Sequence, residues 1–131
     1  MKVSVVTPNY NGERFLKTFL ESLNEDSEYI GEVIIIDNGS SDSSIDYLKN
    51  NKFNFPLVLI ENKENVGFSP AVNQGIRKAK NSLIFSINND TEIKKGSIKK
   101  LIDLITSSDD IFSVQAKMLQ YNNKDLIDDV G

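Results

Sequence analysis

Three consecutive side chains that carry oxygen atoms, those of Asn88, Asn89 and Asp90, directly follow the apolar run LIFSI at residues 83–87. Carboxylate and amide oxygens suit Mg²⁺ or Mn²⁺, and magnesium in particular keeps several waters and bridges to substrate phosphates. Asn and Asp also form turns, so a simple chain reversal is the alternative interpretation. A turn alone rarely needs three such residues behind an apolar strand, which favours a metal–phosphate site.

Polar and small residues also follow three other apolar runs that are typical of strands. The segments are TPNY at residues 7–10, DNGS at 37–40 and NKENVGF at 62–68. In an open α/β sheet, ligands bind outside the carboxyl ends of the strands. The four polar segments therefore predict one cleft at one edge of a sheet.

Single residues in this cleft each allow two interpretations. Asp37 can accept a hydrogen bond from a base N–H or a ribose hydroxyl, or it can brace a turn. Gly67 permits close backbone approach to a ligand, or it supplies a positive φ. Asn73, at the start of the next helix, binds substrate or is simply solvated. These alternatives stay open on position alone.

The composition excludes several kinds of chemistry. The 131 residues include no histidine and no cysteine, which rules out thiolate sites and Ser-His-Asp triads, so a general base must be Asp or Glu. Fifteen basic against nineteen acidic residues give a net charge of −4, which argues against nucleic-acid binding. No apolar run reaches the length of a signal peptide or a membrane span, so a cytoplasmic location is expected.

Alternating strands and helices must position the candidate residues. Apolar runs predict strands at 2–7, 32–37, 57–61, 83–88 and 111–118, and helical spacing or capping residues predict helices at 13–23, 43–48, 70–80 and 97–105. A capping box of Ser43 and Asp46 opens the second helix, and Ser69 caps the third with Pro70 at its first position. This alternation predicts one doubly wound α/β domain over residues 1–131 with a mainly parallel sheet. The final stretch, NNKDLIDDVG, has no stop signal, which predicts a truncated fold.

Three familiar α/β sites do not fit the sequence. Neither G-x-G-x-x-G after the first strand nor G-x-x-x-x-G-K-[ST] is present, which excludes the usual dinucleotide and phosphate loops. A response-regulator receiver has a similar length and topology, but it needs an acidic pair at the end of the first strand, where VVTPNY has none. The cleft therefore belongs to another class of α/β protein.

Four segments in register resemble family 2 glycosyltransferases: VSVVTPNYNG, EVIIIDNGSSDSS, ENVGFSPAVNQGIRKAK and LIFSINNDTEI. The resemblance runs from residue 3 to about residue 118 and is strongest to the rhamnosyltransferase-like members. It implies a GT-A fold, a Rossmann-like α/β/α sandwich, with this chain as the N-terminal donor-binding portion of a longer enzyme. It further implies inverting hexosyl or deoxyhexosyl transfer from a UDP-, dTDP- or GDP-sugar to a glycan or lipid-linked acceptor hydroxyl. Such a reaction would serve polysaccharide or cell-wall biosynthesis at the cytoplasmic face of the membrane, with peripheral membrane association through missing regions.

The resemblance also implies roles for particular residues. The donor-binding residues would be Thr7, Pro8, Tyr10, Asp37, Asn38, Gly67, Phe68, Asn73 and Asn89. Asp90 and Asn88 would bind the divalent metal, Mg²⁺ or Mn²⁺, at the two ends of the family's D-x-D motif. Asn88 replaces the first acid and so offers an oxygen without a charge. The catalytic base is expected beyond Gly131, and a non-catalytic, degenerate binding module is the alternative function.

Overall fold

The computed structural model describes residues 1–129. Its contacts divide the chain into two compact units, Met1–Lys95 and Gly96–Gly131, which are described separately. The first unit contains four strands, three α-helices and a short 3₁₀ helix. In chain order they are β1 (Val3–Asn9), α1 (Glu13–Asn24), the 3₁₀ turn Ser27–Tyr29, β2 (Ile30–Asp37), α2 (Ser44–Asn50), β3 (Leu57–Glu61), α3 (Phe68–Lys78) and β4 (Leu83–Ser86).

The four strands form one parallel sheet in the order β3-β2-β1-β4. Residues Val33 to Ile36 of β2 are all 0% exposed, as are Val5 and Val6 of β1. Parallel strands covered on both faces read as continuous apolar runs, which explains VSVV and EVIIID. The predicted α/β class with a parallel sheet is therefore confirmed for this unit.

Helices cover both faces of the sheet. Ala71 of α3 packs with Val6, Ile34 and Ile36, which share one face. The β3-to-β4 connection crosses the sheet in the opposite direction to the β1-to-β2 and β2-to-β3 connections, and right-handed crossovers then place α1 and α2 on the other face. The amphipathic face of α1 buries four residues: Leu16, Phe19, Leu20 and Leu23.

Strand β1 runs two residues beyond its predicted end at Thr7, through Pro8 to Asn9. The carbonyl of Val6 accepts the N–H of Ile87 on the β4 side, whereas the carbonyl of Asn9 accepts the N–H of Asn38 on the β2 side. Pro8 lies two residues after Val6 and so faces the β4 side, where β4 has already ended. The missing N–H of proline therefore costs no sheet hydrogen bond.

Of two predicted helix starts, that of α2 is correct and that of α3 is wrong. Ser43 is the N-cap residue of α2, but its side chain makes no capping hydrogen bond; instead the Asp42 carboxylate accepts the N–H of Ser44. Helix α3 begins at Phe68 rather than Pro70, after Gly67 with φ 91° and ψ 168°. This backbone region is essentially restricted to glycine, so Gly67 sets the helix start and Pro70 sits in the first turn, where no N–H is needed.

The second unit contains α4 (Ser97–Ile105), β5 (Met118–Leu119) and β6 (Ile127–Asp129). Helix α4 has the predicted bounds and buries Ile98 and Ile102. The predicted strand at 111–118 is wrong, because residues 111–117 form no strand and Phe112 is 97% exposed. Only the last position is paired, in a two-stranded antiparallel ladder with β6.

Candidate functional site

A cavity of about 280 Å³ lies at the carboxyl ends of the parallel strands. The polar segments after β1, β2 and β4 contribute to it, together with the loop between β3 and α3. Its lining residues are Pro8, Asn9, Tyr10, Asn38, Asn65, Phe68, Asn88, Asn89 and Asp90. The strand topology therefore brings together the segments whose positions in the sequence predict one cleft.

Seven predicted site residues line this cavity, and four do not. Thr7 and Asp37 are 0% exposed, Gly67 precedes the lining residue Phe68, and Asn73 lies on the exposed surface of α3. The aromatic side chains Tyr10 and Phe68 are 54% and 58% exposed. Aromatic faces of this kind can stack against a planar base or the apolar face of a sugar.

Asp37 engages protein groups through both of its carboxylate oxygens. Oδ2 accepts a hydrogen bond from Asn9 Nδ2 at 2.8 Å, and Oδ1 accepts the backbone N–H of Ser40 at 2.8 Å. The main chain is also fixed here, since the Asn62 N–H donates to the Asp37 carbonyl. Asp37 thus holds the loop after β2 in place, and base recognition by this residue stays a prediction.

A second amide network lies under the Asn38 side of the cavity. Asn38 Nδ2 donates to the carbonyl of Gly67 at 3.2 Å, and Asn38 Oδ1 accepts from Asn62 Nδ2 at 2.9 Å. Asn62 and Gln74 exchange two hydrogen bonds of 2.8 and 3.0 Å. These bonds connect the ends of β2 and β3 to the glycine that starts α3.

The loop after β2 is further fixed against the start of α1. Asn11 has a positive φ of 48°, and its side-chain oxygen accepts the N–H of Ser41 at 2.8 Å. Asp42 Oδ2 accepts the N–H of Glu13 at 3.0 Å. Partial burial would raise the pKa of Asp42, but hydrogen bonds from Ser44 and from the Glu13 backbone outweigh that effect and lower it.

The cavity is also lined by two residues for which the sequence predicts no role. Asn9 is 1% exposed and connects Asp37 to Asn89 through hydrogen bonds of 2.8 and 2.6 Å. Asn65 lies in the loop before α3, where its Oδ1 accepts the N–H of Gly67 at 2.9 Å. The N-x-G spacing is a detectable signal for the Asn65 turn, whereas nothing local to β1 marks Asn9.

The ligand set beside β4 suits a cation that is shared with a substrate. Asp90 and Asn88 are exposed and line the cavity, and Asn89 and Asp90 lie in a turn. Across residues 1–129, no group of three or more His, Cys, Asp or Glu side chains is placed to hold a metal ion. Because magnesium commonly uses one or two carboxylates plus substrate phosphates, one carboxylate with neighbouring amide oxygens fits such an ion.

Residues 4–127 match the sequence model of the family "Glycosyl transferase family 2". The chain belongs to glycosyltransferase family 2. An uncharacterized glycosyltransferase of Bacillus subtilis (strain 168), YfnE, is 36% identical to this family 2 chain over 105 residues, which cover 78% of the chain. The matched region spans only 26% of the length of YfnE, so the chain corresponds to about a quarter of that relative.

Solved structures show the same fold for this family 2 chain. S. aureus TarS (residues 1–349), solved in complex with UDP-GlcNAc, has a TM-score of 0.72 and 24% identity, with 80% of this chain and 31% of TarS covered. The mannosyltransferase PcManGT of Pyrobaculum calidifontis, solved with GDP-Man and Mn²⁺, has a TM-score of 0.74 and 20% identity, with 81% and 32% covered. The predicted GT-A class is thereby confirmed. In the part of the chain that the structure describes, no helix has both the length and the apolar character of a membrane span.

Proposed function

We propose that this chain binds a nucleoside diphosphate sugar and a divalent cation, Mg²⁺ or Mn²⁺, as the donor site of a glycosyltransferase. The observation that carries the proposal is the position of Asp90. Among the described residues that line the cavity it is the single carboxylate, and two amides precede it directly. Asp90 and Asn88 would hold the cation through their side-chain oxygens.

The charge of the cavity supports a need for the cation. Among the described residues that line the cavity there is no Lys or Arg, so these side chains bring no positive charge to a bound diphosphate. When bound, the divalent ion neutralises the negative charge that develops on the departing diphosphate. The side chains do the remaining work: Tyr10 and Phe68 offer faces for the base or the sugar, and the amide networks keep the loops in one arrangement.

The nature of the donor is supported by the structural neighbours. TarS was solved with UDP-GlcNAc and PcManGT with GDP-Man and Mn²⁺. Both ligands combine a planar base, a diphosphate and a hexose, which matches aromatic faces next to hard oxygen ligands. A UDP-, dTDP- or GDP-sugar is therefore the proposed donor class.

The proposal extends to the whole enzyme through the sequence motifs. The transfer would be inverting and would deliver a hexosyl or deoxyhexosyl group, with rhamnosyl as one candidate, to a hydroxyl of a glycan or lipid-linked acceptor. This chemistry would serve polysaccharide or cell-wall synthesis at the cytoplasmic face of the membrane. A carboxylate outside this chain would deprotonate the acceptor hydroxyl, since the chain supplies the donor half of the site.

Thermal unfolding with UDP, dTDP and GDP, each with and without Mn²⁺, tests the donor site. A ligand at one hundred times its Kd stabilises the folded state by about 2.7 kcal/mol, which raises Tm by several degrees. Asp90→Ala should remove the part of this shift that depends on Mn²⁺. Asp46→Ala, which removes an exposed carboxylate on α2 away from the cavity, is the matched control and should retain it. No shift with any of the three nucleotides would refute the proposal.

One observation favours a second function, a binding module without transferase activity. Asn88 stands where the family motif has an acid, and the uncharged amide is a weaker metal ligand. Such a module would bind a nucleotide with little dependence on Mn²⁺. Equal Tm shifts with and without Mn²⁺, unchanged by Asp90→Ala, together with no donor hydrolysis by the whole enzyme, would select this second function.

A further inference from the structure

We infer that Asn9 is a positioning residue for the donor site. It fixes residues 88–90, called the 88–90 loop below, and it makes Asn89 present its side-chain oxygen rather than its NH₂ group to the ligand. This inference rests on the proposed function, because it assigns a role within the same site. The ligand group that meets Asn89 would then be a hydrogen-bond donor, such as a ribose or sugar hydroxyl.

The 88–90 loop begins directly after the last backbone hydrogen bond between this part of the chain and β1. The pairing of β4 with β1 ends at Val6 and Ser86, and the Ile87 N–H makes one further bond to the Val6 carbonyl. Beyond this point, the hydrogen bond from Asn89 Nδ2 to Asn9 Oδ1, at 2.6 Å, connects the loop to β1. Directly after the loop, Thr91 Oγ1 donates to the Asn88 carbonyl at 2.6 Å.

Asp37 determines the direction of the hydrogen bonds in this chain of side chains. Asn9 directs its NH₂ group toward two acceptor oxygens, Asp37 Oδ2 at 2.8 Å and Ser40 Oγ at 3.3 Å. The oxygen of the Asn9 amide therefore faces Asn89, and it can only accept a hydrogen bond from a donor on Asn89. Asn89 meets that requirement with its own NH₂ group, and its oxygen is left as the acceptor for the cavity that it lines.

Burial makes this arrangement rigid. Asn9 is 1% exposed and Asp37 is 0% exposed, so water cannot easily replace either partner. A reversed amide would place two donors or two acceptors together, and an unsatisfied buried polar group costs about 1–3 kcal/mol. The carboxylate therefore sets the orientation of two amides, the second of which is in contact with the ligand site.

Gly12 provides an independent observation for the same pair. A Cβ at this position would overlap both Asn9 Oδ1 and Asn89 Nδ2. The residue lies directly before α1, and its lack of a side chain leaves the space in which the two amides meet. Gly12→Ala should thus displace the pair without removing any hydrogen-bonding group.

The test compares Asn9→Leu and Gly12→Ala with the control Asn81→Ala. Asn81 donates its side-chain amide to Ser4 Oγ at 2.9 Å, so the control also removes an internal amide hydrogen bond but at the opposite end of β1. The probes are UDP, dTDP and GDP with Mn²⁺, and the corresponding nucleosides without it. We expect both test variants to lose about 10- to 100-fold in the Mn²⁺-dependent affinity. Displacing Asn89 would move the proposed metal ligands Asn88 and Asp90 on either side of it, and losing the outer support of a metal site typically costs this much. Nucleoside affinity should fall by a smaller factor, because a nucleoside loses only the hydroxyl contact with Asn89 and no contact with the cation, and the control should behave as the wild type.

A second readout does not depend on any ligand. Backbone NMR order parameters of residues 88–90 should fall from about 0.85, typical of rigid backbone, toward about 0.6 in Asn9→Leu but not in Asn81→Ala. If the wild type binds no nucleotide, the proposed function fails while the order parameters still decide whether Asn9 fixes the loop. If the wild type binds and Asn9→Leu retains both the Mn²⁺ dependence and the rigid loop, the inference about Asn9 is overturned and the proposed function stands.

Discussion

The contact between α3 and the sheet at Gly75 predicts a large loss of stability in Gly75→Val. A Cβ at Gly75 would overlap Val6 Cγ1 and lie 2.7 Å from Ile36 Cδ1. The end of the Ile36 side chain can rotate away. Val6 cannot, because its χ1 is restricted and its strand is paired on both sides. The helix must therefore move, or the core must distort.

The size of the stability loss in Gly75→Val follows from two opposing effects. Overpacking a well-packed core costs about 1–3 kcal/mol, and the three carbons of valine place this variant at the upper end. Replacing glycine within a helix returns only about 0.3 kcal/mol, because valine is itself a poor helix former. We expect a net loss of about 2–3 kcal/mol in the free energy of unfolding.

Urea denaturation measures this loss directly. With an m-value of about 1–3 kcal/mol/M, the midpoint should fall by about 0.7–3 M. Asn73→Val is the matched control, since Asn73 lies on the exposed side of the same helix and asparagine and valine have similar helix propensities. A Gly75→Val protein as stable as the wild type would show that α3 does not approach the sheet as closely as described.

Three further changes test other parts of the structure. The N–H of Lys80 donates to Glu32 Oε1 at 2.7 Å, and Glu32→Ala removes this acceptor. Urea denaturation should show a loss of about 1–3 kcal/mol in the free energy of unfolding. An unchanged midpoint would contradict the contact. The lowered pKa of Asp42 means that its contribution to stability is present above the ordinary aspartate pKa of 3.8 and is lost as the pH falls through the folded pKa. In Asp42→Asn, Tm should therefore depend less on pH below about pH 4, and an unchanged acid limb would refute this. Gly67→Ala forces a residue with a Cβ into φ 91°, which should cost about 1–3 kcal/mol in thermal or urea unfolding; wild-type stability would contradict the glycine-specific start of α3.

The fold could be predicted largely because its periodic signals are local. EVIIID marks a strand buried on both faces, and the bounds of β3 and α4 agree with the predicted ranges. The structure differs from the prediction where residues that are distant in the sequence determine the local conformation. Pro8 continues β1 because β4 has ended beside it, and 111–117 lacks a strand although it is apolar in part, because apolar character does not provide a neighbouring strand.

The candidate site likewise has one part that the sequence predicts and one part that it does not. The residues that line the cavity at the strand ends, such as Tyr10, Asn38 and Asp90, were predictable because parallel topology brings the strand ends to one edge. The connection through Asn9 was not predictable from local sequence. It joins β1 to residues 28 and 80 positions later in the chain, and only the sheet order places Asp37 and Asn89 on either side of it.

The most direct test of the proposed metal–diphosphate site is to locate a bound Mn²⁺ ion. In a ¹H–¹⁵N NMR titration of the chain with Mn²⁺ and a nucleoside diphosphate, paramagnetic broadening should be strongest at the amides of residues 88–90. It should weaken with distance from Asp90, and Asp90→Ala should abolish it. Strongest broadening elsewhere in the chain, or broadening at residues 88–90 that persists without Asp90, would contradict a metal–diphosphate site at the tip of β4.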